Sequence, residues 1–107
     1  MYIEKAFAHR DQFLAAVDQV ASSLPPEVVQ VIATLGTDWN GESAVFFKVI
    51  LKDNSIPRSE LLAFTQQITW TLIQELSPLE DWGVPPYFRF LTETEYAWVK
   101  EVEPAWA

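Results

Sequence analysis

Cysteine is absent from this sequence of 107 residues. Its absence excludes disulfide bonds, thiol catalysis and cysteine-ligated zinc. Histidine occurs only at His9, and glycine only at Gly36, Gly41 and Gly83. Neither a glycine-rich phosphate loop nor a G-x-S-x-G nucleophile turn can be built from these residues. The sequence contains no recognisable catalytic set, and we expect no cofactor and no bound metal.

Basic residues are scarce as well. Seven Lys and Arg residues stand against fifteen Asp and Glu residues, which gives a net charge of −8. A negative field repels the phosphates of DNA and RNA, and the G-x-x-G loop of KH-like RNA-binding modules is missing. We therefore expect no nucleic-acid partner. The same field favours a basic protein partner or a divalent cation.

Long apolar runs are also missing. No stretch approaches the roughly 18 apolar residues of a membrane span. The first ten residues include Glu4 and lack the apolar run of a signal peptide. We expect a cytoplasmic protein that does not bind or span a membrane.

Apolar residues nevertheless make up half of the sequence, and 14% of the residues are aromatic. This composition predicts that residues 1–107 fold as a single α+β domain. Apolar residues at helical spacing predict a first helix from Ile3 to Leu24, which alternatively begins at Asp11. A second helix is predicted between Pro57 and Ser77, and the T-x-x-E spacing from Thr92 predicts a short third helix.

Three strands are predicted between these helices. The run from Val28 to Leu35 is apolar at successive positions, which is typical of a central strand covered on both faces. An Asn40-Gly41 pair predicts a hairpin into a second strand, 44–52, and the third strand is predicted at 87–91. We prefer a two-layer fold with the antiparallel strand order 2-1-3 and helices on one face. The alternative order is 1-2-3, with the third strand parallel to the second.

The second strand alternates between two faces. The predicted core combines one of these faces with the other strands and the second helix, and its members are Val31, Phe47, Val49, Leu51, Ile68, Leu72 and Phe90. On the opposite face Phe46 and Ile50 alternate with Lys48 and Lys52. A face that is half apolar predicts a covering element or a partner, in which case the chain self-associates or binds another protein there.

Five tryptophans are more than one small core easily hides. Trp39 stands at the predicted hairpin tip, where it either folds back over the sheet or meets a partner. The predicted binding residues are Asp38, Trp39, Glu42, Phe46 and Arg89. Asp38 and Glu42 form an acidic rim that alternatively holds a cation together with Asn40. Arg89 either pairs with a carboxylate on a neighbouring element or anchors an anionic group.

Two segments carry a resemblance to a known group of proteins. They are Asp38-Trp-Asn-Gly-Glu-Ser-Ala-Val-Phe-Phe-Lys-Val-Ile-Leu51 and Pro86-Tyr-Phe-Arg-Phe90. The sequence resembles small bacterial proteins of the D-W-x-G-[DE]-x-A-[IV]-F-F type, some of them encoded beside HEPN-domain proteins. The resemblance implies an antitoxin-like or partner role. The G-S and D-x-D signature of the nucleotidyltransferase partners of HEPN proteins is absent here.

These observations favour a non-catalytic interaction or regulatory protein, either antitoxin-like or an accessory subunit, that acts through an aromatic and acidic surface. Its partner is then another protein, a second copy of the chain, or both. The alternative is a small-ligand or metal-assisted enzyme that uses Asp38, Glu42 and Arg89.

Overall fold

A computed structural model describes residues 3–102 of the chain. This part is α+β, with helices around a three-stranded sheet, which confirms the predicted class. The elements in chain order are α1 (Lys5–Ala8), α2 (Arg10–Ala21), β1 (Val28–Thr37), β2 (Ser43–Leu51), a 3-10 turn (Arg58–Glu60), α3 (Leu61–Leu76), α4 (Pro78–Trp82), β3 (Pro86–Thr92) and α5 (Glu93–Val102).

The strand order in the sheet is β1-β2-β3. β1 and β2 form the predicted antiparallel hairpin, in which Ala33 lies opposite Phe47, and β3 runs parallel to β2. The preferred order 2-1-3 is therefore wrong, and the alternative 1-2-3 is the one observed. The reason is that β2 is apolar on both faces and nearly continuously buried, whereas β1 exposes Gln30 and Thr34 and so belongs at an edge.

The main core lies between one face of the sheet and helices α2 and α3. Phe47, Val49, Ile68 and Leu72 are at most 1% exposed, and Phe90 is half-buried against them. The other predicted core residues, Val31 and Leu51, are buried too. The facing assigned to β2 is confirmed.

The sequence had suggested that all helices lie on one face of the sheet, but the helices lie on both faces. α5 packs on the opposite face of the sheet, where Val99 joins Ile50 and Leu91 in a second apolar cluster. Ile50 is 2% exposed, so the covering element predicted for this face exists at that end of the sheet. Ile50 is thereby removed from any surface on which a partner could dock. Phe46, nearer the hairpin, is not in this cluster.

One helical prediction needs correction, and one short helix is present that the sequence did not predict. The first helix is interrupted at His9, whose backbone (φ −124°, ψ 52°) separates α1 from α2. The N-terminus of neither helix is capped by a side-chain hydrogen bond. The second helix ends at Ser77 as predicted, with a left-handed backbone (φ 45°). Beyond it, Pro78 opens the short helix α4, because proline fits the first helical position, where no N–H is needed.

The predicted capping box of α5 is present. The Thr92 hydroxyl accepts a hydrogen bond from the Glu95 N–H (3.1 Å), and the Glu95 carboxylate accepts one from the Thr92 N–H (2.8 Å). Asp53, in the loop after β2, accepts hydrogen bonds from the Thr94 hydroxyl (2.6 Å) and N–H (3.1 Å), and the hydroxyl chiefly lowers the pKa of Asp53. These contacts fix the start of α5 beside the end of β2.

Candidate functional site

The hairpin loop between β1 and β2 consists of residues 38–42. The Asp38 N–H donates to the Glu42 carbonyl (2.8 Å), and the Gly41 N–H donates to the Asp38 carbonyl (2.9 Å). Gly41 has a positive φ of 81°, but Asn40 does not. The loop thus differs from a two-residue Asn-Gly turn, in which both residues have positive φ. It is a five-residue loop that depends on glycine at a single position.

The Asp38 side chain organises this loop. Its Oδ1 accepts hydrogen bonds from the N–H groups of Asn40 (2.9 Å) and Glu42 (3.0 Å). Its Oδ2 accepts one from the hydroxyl of Tyr87 on β3 (3.1 Å). Both carboxylate oxygens are therefore engaged within the protein. Asp38 holds the loop closed and ties it to the far strand of the sheet.

Trp39 follows Asp38 at the tip and is 87% exposed. Its side chain does not fold back over the sheet, which removes one of the two interpretations offered by the sequence. The neighbouring Glu42 is exposed as well. The loop thus presents a large aromatic side chain beside an acidic one on a main chain fixed by hydrogen bonds.

An aromatic pair lies next to the loop. It is on the same face of the sheet as α5, at the end that α5 does not cover. Phe46 on β2 stacks on Tyr87 on β3, with ring centroids 5.4 Å apart and planes inclined by 19°. Phe46 is half-buried, and Tyr87 is 38% exposed. We call Trp39, Glu42, Phe46, Tyr87 and Arg89 the tip surface.

Arg89 occupies the next position along β3 on the same face and is exposed. Its cross-strand neighbour on β2 is Lys48, so no carboxylate occupies the position directly opposite Arg89 on that strand. Two basic side chains thus lie side by side behind the aromatic pair.

Tyr87 is the site residue that the sequence analysis missed. The available signal was its position in β3, on the face opposite Phe88 and Phe90, where a tyrosine hydroxyl needs a polar partner. The partner itself could not be read from the sequence, because Asp38 lies 49 residues away.

The other tryptophans divide into packed and exposed residues. Trp82 packs edge-on against Phe13 (5.1 Å between centroids), with the Lys5 ammonium 4.8 Å from its ring centroid. Trp70 on α3 and Trp98 on α5 are 63% and 60% exposed. Trp106 lies outside the described residues. Among the exposed tryptophans at 39, 70 and 98, Trp39 has the largest exposed fraction.

Within residues 3–102, no three His, Asp or Glu side chains are grouped so that they could hold a metal ion.

A surface depression of about 260 Å³ lies at the far end of the sheet from the hairpin. It is lined by Glu27, Ser55, Ile56, Pro57, Glu60, Ala63, Phe64 and Gln67. This lining contains no histidine or lysine beside the serine.

The Asp38–Tyr87 hydrogen bond predicts a pH dependence of stability. Hydrogen bonds from the backbone N–H of Glu42 chiefly, and also from Tyr87 and Asn40, lower the pKa of Asp38, while Asp38 raises the pKa of Tyr87. The Asp38 contribution is fully present above the ordinary carboxyl range and is lost as pH falls below about 4. The Tyr87 contribution is present below about pH 10 and is lost above it.

Urea unfolding of wild type, Asp38→Asn and Tyr87→Phe across the pH range measures both contributions. We expect Asp38→Asn to lose less stability than wild type on acidification, and Tyr87→Phe to lose less in alkali. Asp53 and Glu4 also have lowered pKa values, so they add to the stability that every variant loses in acid. The diagnostic quantity is therefore the difference in this loss between each variant and the wild type. Parallel pH profiles for the three proteins would contradict the assignment.

No protein-family model matches the chain, and no curated protein matches it either. None of the helices within residues 3–102 has the length and apolarity needed to cross a membrane.

Proposed function

We propose that this protein is a non-catalytic interaction or regulatory protein that binds a basic protein partner through the tip surface. The observation that carries the proposal is Trp39, which is 87% exposed on a loop closed by hydrogen bonds. Tryptophan, together with tyrosine and arginine, is enriched among the residues that dominate binding energy. An antitoxin-like protein or an accessory subunit acts through such a surface without chemistry of its own.

The loop geometry supports binding because it reduces the entropy lost on docking. The Asp38 carboxylate already fixes the main chain that follows Trp39, the Asp38 N–H holds the residue before it, and Tyr87 anchors the carboxylate to β3. A partner therefore orders little more than the indole ring. Phe46 and Tyr87 add apolar area beside the loop.

Charge supports a basic partner. The chain carries a net charge of −8, and the exposed Glu42 lies within the loop itself. Long-range attraction of this sign raises the rate at which a basic protein finds the surface. Arg89, at the margin of the tip surface, then selects partners that offer a carboxylate at that point.

The enzyme alternative requires Asp38, Glu42 and Arg89 to act together on a small ligand or a cation. Both oxygens of Asp38 already accept hydrogen bonds from Asn40, Glu42 and Tyr87. A cation bound there would compete with these hydrogen bonds, because they occupy three of the roughly four lone-pair sites of the carboxylate. This competition favours the interaction proposal.

A photo-reactive amino acid that keeps a large aromatic ring at position 39 tests the proposal in cells that produce the protein. Position 70 is the matched control, because Trp70 is also a well-exposed tryptophan (63%) but lies on α3. We expect irradiation to join one basic protein to the chain from position 39 and not from position 70. Equal labelling from both positions, or none from position 39, would count against a binding site at the hairpin tip.

A further inference from the structure

The two edges of the sheet differ in how they are protected. β3, at one edge, has 7 residues and includes Pro86 and Arg89. β1, at the other edge, has 10 residues, Val28 to Thr37, with no charged residue and no proline. Natural proteins usually protect an edge with charge, proline, a bulge or a short strand, since an open edge pairs readily with another strand. On β1 the only such feature is a bulge at its start, between Val28 and Gln30.

The hydrogen-bonding pattern shows which residues of β1 face outward. The Asp38 N–H bonds to the Glu42 carbonyl across the hairpin, and in an antiparallel ladder such bonding pairs recur at every second residue. The even-numbered residues of β1 therefore bond to β2. Beyond the bulge, the main-chain groups that point away from β2 belong to Val31, Ala33, Leu35 and Thr37. Within residues 3–102 these four make no main-chain hydrogen bond to another element outside the sheet.

We propose that β1 is a dimer interface on which a second copy of this chain pairs antiparallel, which joins two sheets into one of six strands. The proposal is independent of the function assigned to the tip surface. With Ala33 on the two-fold axis, Val31 of each chain lies opposite Leu35 of the other. The three hydrogen-bonded pairs are Ala33 with Ala33 and the two pairs of Val31 with Leu35. They supply about six new main-chain hydrogen bonds, two for each pair.

A second copy fits this edge because of charge. The chain carries a net charge of −8, so most of its surface repels another copy. β1 is uncharged throughout. In the same register Ile32 lies beside Thr34 of the second copy, and Gln30 lies beside Gly36, so no like charges meet across the new ladder. An antiparallel pair of identical strands is also self-complementary, as a two-fold interface must be.

Single cysteines test the register, because the natural chain has no cysteine. In Ala33→Cys the two Cα atoms meet across the axis at about 5.5 Å, within the range that a disulfide spans. In the control Thr37→Cys, the two positions lie roughly 26 Å apart in the same register. Under mild oxidation we expect a covalent dimer from Ala33→Cys and none from Thr37→Cys. Sedimentation equilibrium of the wild type should show a reversible dimer.

Ala33 is half-buried, so a second pair of variants guards against misfolding of Ala33→Cys. A mixture of Ile32→Cys and Thr34→Cys, which are neighbours across the same ladder, should give a cross-linked heterodimer. A wild-type monomer at all concentrations overturns the proposal, as does equal cross-linking of Thr37→Cys. The proposal is also overturned if Phe46→Glu dissociates the dimer and the cysteines in β1 form no cross-links. It is overturned too if β1 forms cross-links only to a different protein. Each of these results leaves the photo-cross-linking test at position 39 unaffected.

Discussion

Truncation of Phe47 to Ala is expected to lower the free energy of unfolding by about 3 to 5 kcal/mol. Phe47 lies in the middle of the central strand, is 1% exposed and stacks on Phe88 with ring centroids 5.1 Å apart. Its removal leaves a cavity bounded by the sheet on one side and the helices on the other. The surrounding side chains cannot all move in to fill it, which is why the expected loss exceeds the transfer free energy of the ring.

Phe46→Ala is the matched control for this experiment. Phe46 is adjacent in sequence and has the same side chain, but it lies on the other face of β2 and is half-buried. Urea unfolding at constant temperature gives both free energies, and the loss should be clearly smaller for Phe46→Ala. Equal losses, or a loss below about 1 kcal/mol for Phe47→Ala, would mean that the facing of β2 is wrong.

The facing of β2 could be predicted because alternation along one strand is a local property. Phe47 and Val49 share one face whatever lies next to the strand, and both are buried. The capping box at Thr92 is local in the same way, since both of its partners lie within four residues. These parts of the fold follow from short stretches of sequence.

The strand order depended on contacts that no short stretch contains. The apolar run of β1 suggested a strand covered on both faces, but its polar residues Gln30 and Thr34 face away from the core and are exposed. Those two residues were the available signal for an edge strand. The parallel pairing of β3 depends on where α3 crosses the sheet, which hydrophobic spacing alone does not specify.

The candidate site was only partly readable for the same reason. The sequence placed Asp38, Trp39 and Glu42 in one loop, because the turn residues around Gly41 are a local signal. It did not reveal that Asp38 is bonded to Tyr87, or that Trp39 faces solvent. The exposure of a loop side chain depends on the whole surface around it.

Replacement of Trp39 by Ala is expected to weaken binding of the partner captured from position 39 by about 2 to 4 kcal/mol, which is roughly a 30-fold to 1000-fold rise in Kd. A central tryptophan on a preorganised loop supplies a large apolar area and loses little entropy on docking. The fold should survive the substitution, because Trp39 is already 87% exposed to water.

Trp70→Ala controls for the general loss of an exposed indole. Trp70 lies on α3 and is 63% exposed, so its removal changes surface hydrophobicity to a similar degree. We expect it to leave Kd within about threefold of the wild type, since substitutions outside a binding centre have small effects. A comparable loss of affinity in both variants would point to nonspecific apolar adhesion.

Measuring Kd for the captured partner together with the melting temperature, on one preparation of Trp39→Ala, tests the role of the tip surface most directly. We predict a Kd at least about 30-fold higher than that of the wild type, at an unchanged melting temperature. A lower melting temperature with unchanged affinity per folded molecule would contradict this role, because it would show that Trp39 serves its own sheet and not a partner.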